Sequence, residues 1–175
     1  VPQREHEPGA VQFKEPEDVK KLSEVMMIAN IIVFLLVFAI ICIRGKYFID
    51  NPWGIIVAIL CMVPHEFLHA ICFKKDVYMY QHLSGGMLFV VGTEDMSKFR
   101  FCFMSMLPNI VFGFIPFIIF MINPSLTLLG ELGAFSIAAG VGDYMNVFNA
   151  LTQMPKGSRT YLSGMHSYWY MPSSK

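Results

Sequence analysis

The chain has 175 residues, 55% of them hydrophobic and 15% charged, with a formal net charge of zero and a mean hydropathy of +0.52. So apolar a composition excludes an ordinary soluble domain, and a balanced charge without a basic tract offers nothing to nucleic acid. The expected fold is an all-α integral membrane protein whose surroundings are the lipid bilayer, with four transmembrane helices and a cytoplasmic-side β-hairpin between helices two and three.

Residues 1–24 read as an N-terminal cytoplasmic segment. The opening, through Pro8 and Gly9, carries no ordering pattern, whereas residues 15–24, with Pro16 near the start and Val19 and Leu22 at helical spacing, predict a short interfacial helix. About 24 largely polar residues precede the first apolar run and no small-residue cleavage pattern closes it, so that run reads as an anchor rather than a removable signal. Residues 25–151 form the predicted membrane domain, with spans at about 25–43, 53–73, 101–122 and 126–147, each near the length a hydrocarbon core requires.

Turns are expected at Asp50-Asn51-Pro52 and at Asn123-Pro124-Ser125. Between spans two and three, two aromatic and β-branched runs flank Ser84-Gly85-Gly86 and predict a β-hairpin over about 77–91. Residues 152–175 read as a cytoplasmic aromatic tail, in which Tyr168, Trp169 and Tyr170 suit the headgroup zone. Cys42, Cys61, Cys72 and Cys102 all fall in the predicted spans without Cys-x-x-Cys spacing, so they read as packing residues and not as disulfide partners or metal ligands.

With the N terminus placed inside, eleven of the thirteen Lys and Arg residues fall on the inner side, and only Arg44 and Lys46 fall outside. The positive-inside rule then places both termini in the cytoplasm.

The chemistry concentrates in His65-Glu66-Phe67-Leu68-His69. Residues four apart share a helix face, so both imidazoles can grip one Zn²⁺ ion while Glu66 acts as general base on a water. Ionisable groups are costly inside lipid and mark function there; a cluster of interhelical polar contacts, or a proton or haem site, is the alternative reading. A catalytic zinc usually takes a third protein ligand.

Asp143 is the best candidate for it, as an acidic residue inside the predicted fourth span. At 1.5 Å per residue, His69 lies about 24 Å along span two from Trp53, and Asp143 about 26 Å along span four from Leu126, so the two are level. Gly133, Ser136, Ala139, Gly140, Asp143 and Asn146 fall near one face, which lets the backbones approach, although ordinary close packing explains the same stripe.

Glu131 lies roughly 18 Å from Asp143 along the axis, too far to share a metal. Glu94 and Asp95 are expected to face water, while His82 in the hairpin and His166 in the tail are minor candidates. Pro64 should bend span two and open a wet pocket. Asn109 and Asn146 can orient a substrate or simply bond helix to helix.

Through Pro64-His65-Glu66-Phe67-Leu68-His69-Ala70, Gly142-Asp143 with Asn146, and Pro155-Lys156-Gly157 onward to His166-Ser167-Tyr168-Trp169-Tyr170, the chain resembles a zincin peptidase family of small bacterial membrane proteins. More distantly it is similar to the site-2 protease class of intramembrane metalloproteases. The resemblance implies a bacterial cytoplasmic membrane, ligand roles for His65, His69 and Asp143, and the base role for Glu66. One departure is that Asp143 follows Gly142 and precedes Tyr144, outside the Asn-Pro-x-x-Asp-Gly setting usual in site-2 proteases.

The expected function is a zinc-dependent intramembrane endopeptidase, carrying one Zn²⁺ ion, that cuts a membrane-embedded or membrane-proximal protein near the cytoplasmic face. The free edge of the hairpin can accept an extended substrate, or serve only as a structural flap. Two alternatives remain at this level: a metal or proton transporter using His65, Glu66, His69 and Asp143 as a relay, and a silent zinc-containing binding protein. Polar groups gathered at one membrane side speak against the first, and the intact Glu66 against the second.

Overall fold

A computed structural model of the chain describes residues 2–15, 19–44, 53–82 and 87–173. In chain order the elements are β1 (Val11–Gln12), α1 (Val19–Ile43), α2 (Trp53–Leu60), α3 (Met62–Ala70), β2 (Val77–His82), β3 (Met87–Gly92), β4 (Met96–Ser97), α4 (Lys98–Pro108), a π-helical turn (Asn109–Phe114), α5 (Ile115–Ile122), α6 (Thr127–Ala139), α7 (Val141–Gln153), β5 (Arg159–Ser163) and β6 (His166–Tyr170). The predicted turns at Asp50-Asn51-Pro52 and Ser84-Gly85-Gly86 lie outside the described residues.

The all-α expectation with four spans is overturned. A four-stranded antiparallel sheet, in the order β1-β6-β5-β4, stands beside the β2-β3 hairpin. Among the described residues three helices, not four, are long and apolar enough to cross a membrane: Lys20–Ile43, Trp53–Ala70 and Lys98–Ile122. The predicted fourth span breaks at Gly140 into α6 and α7, and α6 with 13 residues is only about 20 Å long.

Prolines shape the long helices. Pro64 has no N–H for the carbonyl of Leu60, and α2 gives way to α3 at that point, around Cys61. In the third helix Pro108 and Pro116 flank the π-helical turn.

Short α6 sits at the centre, against α1, α2 and α5. Ala134 and Ile137 join Val37 and Ile41 of α1 and Phe120 of α5 in a buried apolar cluster. Gly133 permits this closeness, since a Cβ there would lie 2.6 Å from the backbone nitrogen of Phe117. Glu131, 3% exposed, accepts the Gly54 N–H at 3.0 Å, meeting a donor that the first turn of α2 leaves unpaired. By contrast α1 leaves Met27, Ile28, Ile31, Ile32, Leu35 and Leu36 more than half exposed, an apolar face suited to lipid.

The tail and the N-terminal segment fold together. Gly164, at φ 62°, occupies the first central position of the two-residue turn joining β5 to β6, where a positive φ is required. Trp169 then pairs with Val11 of β1 on one side and with Thr160 of β5 on the other. The opening residues, expected to lack order, are tied down: Arg4 donates to Thr93 O at 3.0 Å and Asp95 Oδ1 at 2.9 Å, and Phe13 is buried against Ala150 and Met154. Glu94, expected in water, is 7% exposed.

The Glu94 carboxylate accepts the N–H groups of Lys74 and Lys75, each at 2.7 Å, and pairs with Arg100, so it joins the loop after α3 to the start of α4. Burial works to raise its pKa, but these donors outweigh burial and hold it below the usual carboxylate value.

Glu15, against Asn149 of α7, goes the other way: burial raises it from 4.5 to about 7, with the Asn149 hydrogen bond opposing. A carboxyl with a raised pKa in the folded state contributes its full stability below pH 4.5 and loses it as the pH rises through about 7. The midpoint of thermal unfolding should therefore fall between those pH values, and Glu15→Gln should flatten that fall. An unchanged slope in the variant would assign the pH dependence to other groups.

Candidate active site

Helix α3 presents His65 and His69 one turn apart, their ring centroids 4.9 Å from each other. Ligand atoms of His65, Glu66 and His69 all lie within 4.8 Å of one another. Asp143, in the first turn of α7, reaches both imidazoles: His65 Nε2 lies 3.2 Å from its Oδ2 and His69 Nε2 lies 3.2 Å from its Oδ1. The structure thus brings together all four predicted site residues, from two separate helices.

The surroundings are supplied by α4, the π-helical turn and β3. The carbonyl oxygen of Met104 lies 2.9 Å from His69 Nδ1, and since a carbonyl only accepts, that nitrogen carries the hydrogen and Nε2 is the one left to face a metal. Asn109 Nδ2 donates to Asp143 Oδ2 at 2.7 Å. Glu66 Oε2 accepts the Val90 N–H of the hairpin at 2.9 Å.

The donor set and its spacing fit zinc. Bond lengths of 2.0–2.1 Å in a tetrahedron put neighbouring ligand atoms about 3.3 Å apart, and Nε2 of each imidazole lies 3.2 Å from one oxygen of the Asp143 carboxylate, so the three side chains converge within reach of one ion. Three protein ligands would leave the fourth tetrahedral position to a water, and the bond from His69 to a carbonyl is the orienting contact that metal-binding histidines usually make.

The remaining candidates stand apart from this centre. His166 lines a hollow with Gln3, Arg4 and His6 on the four-stranded sheet. Asn146 lies one turn beyond Asp143 and takes no part in these bonds. The side chain of His82 falls outside the described residues. Two contacts escaped the sequence reading: the Val90 N–H, which has no local signal, and the Met104 carbonyl, which the position of Pro108 four residues on could have revealed.

A family model described as "Putative zincin peptidase" matches residues 58–159, more than half of the chain and the segment that holds His65, Glu66, His69 and Asp143. No curated protein and no solved structure matches.

Proposed function

The chain belongs to that zincin peptidase family, and from this premise we propose that it is a zinc-dependent endopeptidase cutting a membrane-embedded or membrane-proximal protein. The observation that carries the reading is the meeting of His65, His69 and Asp143 from α3 and α7 with Glu66 beside them. His65, His69 and Asp143 would hold the ion, which when bound supplies Lewis acidity, drawing the pKa of a water toward about 7.

Glu66 takes the proton from the attacking water and passes it to the leaving nitrogen as the peptide bond breaks. A relay across the membrane is disfavoured because Glu131, the acidic group toward the other end of the bundle, is engaged with Gly54.

Substrate docking follows from the hairpin. Val90 directs its N–H to Glu66 rather than to β2, so by the alternation of an antiparallel ladder Leu88 and Val90 turn their backbone groups to the edge of β3 that no strand pairs. An extended peptide adding at this edge lies beside the site, and one of its carbonyls competes for the Val90 N–H, releasing Glu66 for proton transfer. A helical substrate must unwind locally first, because its own hydrogen bonds occupy the groups that the edge would pair.

The test is cleavage of a membrane-anchored peptide by purified protein. Activity should vanish on chelation and return with zinc, and Leu88→Pro should lower cleavage about tenfold with zinc content unchanged, since it removes one edge donor. Cleavage that survives complete metal removal would contradict the zinc reading, and an unaffected Leu88→Pro would contradict edge docking.

A further inference from the structure

In an unbroken α-helix the carbonyl of Met104 would receive the N–H of residue 108. That residue is Pro108, which has none, and the released oxygen meets His69 Nδ1 at 2.9 Å. The next carbonyl is released as well. The Asn109 N–H turns to Met106 O, so Ser105 O is left to accept Asn109 Nδ2 at 3.2 Å, while the same amide donates to Asp143 Oδ2 at 2.7 Å.

Asn109 is fully buried, and its Oδ1 has no hydrogen-bond partner among the described residues. An unpaired buried amide oxygen is costly, so something must fix the opposite orientation of the group. Ser105 O and Asp143 do so, as both demand the NH₂ end. The π-helical turn starts at Asn109, and such turns often mark functional positions. Across from it Gly140 gives the amide its room, because a Cβ at that position would overlap Asn109 Oδ1.

We propose that Pro108 and Asn109 are a positioning pair for the metal centre: Pro108 frees the carbonyl that sets the tautomer of His69, and Asn109 clamps the carboxylate of Asp143 against both imidazoles. Two adjacent residues therefore serve two ligands on two other helices. Neither residue touches the reacting atoms, and the inference rests on the zinc reading above.

Zinc affinity, measured by chelator competition on the purified full chain, tests the pair, together with the visible spectrum of the cobalt-substituted protein. Loss of such an outer contact typically weakens metal binding by about 10–100-fold. Asn109→Ala should do so and should alter the cobalt spectrum as Asp143 swings. Gly140→Ala should weaken binding comparably by displacing the amide, yet on the Asn109→Ala background it should change affinity less than about twofold, the signature of two residues acting through one contact. Pro108→Ala, which restores a competing N–H to Met104 O, should weaken zinc without lowering helix stability, and it carries the test if Asn109→Ala does not fold.

A merely structural role predicts lower melting temperatures with unchanged zinc affinity and an unchanged cobalt spectrum. That result, or an equal effect of Gly140→Ala on both backgrounds, overturns the positioning pair while leaving the zinc reading intact. A wild type that binds no zinc overturns both.

Discussion

Glu66→Gln should lower peptide cleavage by about 10²- to 10⁴-fold, the usual contribution of a positioned general base, while each chain still binds one zinc ion. Glutamine keeps the shape of the side chain and its amide oxygen can still accept the Val90 N–H that Glu66 Oε2 accepts at 2.9 Å, so the hairpin contact survives. What is lost is the ability to accept a proton from water.

The same variant also decides between two ligand sets, because Glu66 lies within 4.8 Å of both histidine ligand atoms and has the chemistry to bind metal itself. Metal analysis and a cleavage assay on one preparation give the answer. Zinc lost together with activity would make Glu66 a ligand, and full activity would transfer the base role to another group.

If Asp143 is the third ligand, as proposed, Asp143→Ala should weaken zinc by more than the about 10–100-fold expected from losing an outer contact. It should also destabilise the metal-free fold, because Asn109 Nδ2 would lose its 2.7 Å partner in a fully buried setting. An unmet buried donor costs about 1–3 kcal/mol. Chelator competition and thermal unfolding of the metal-free variant check the two effects separately. Wild-type affinity in the variant would remove Asp143 from the metal and leave it as a mere bridge between His65 and His69.

The pairing of the two histidines is legible because helical periodicity is local: His65 and His69, four apart, share a face in any α-helix. The hairpin was legible for a similar reason, its two runs pairing over Val77↔Gly92 through His82↔Met87. A straight fourth span puts Asp143 level with His69, and Asp143 does meet the histidines, but from the first turn of α7 after the chain breaks at Gly140. Hydropathy reads straight through such a break, since Gly140 interrupts the helix without adding charge.

The C-terminal sheet was illegible for a different reason. Its edge strands Val11–Gln12 and Met96–Ser97 are too short for any alternation, and the pairing of Val11 with Trp169 joins residues near opposite ends of the sequence. Glu131 shows the limit of another rule, that ionisable groups inside apolar helices mark function. Its carboxylate meets the first turn of a neighbouring helix, a structural demand invisible without knowing that α2 and α6 touch.

Zinc-edge X-ray absorption of the purified wild-type protein tests the central claim most directly. The account predicts one zinc ion per chain with nitrogen and oxygen neighbours at about 2.0–2.1 Å, imidazole scattering from two histidines, and loss of part of that scattering in His69→Ala. A preparation without zinc, or a sulfur shell at about 2.3 Å, would contradict it.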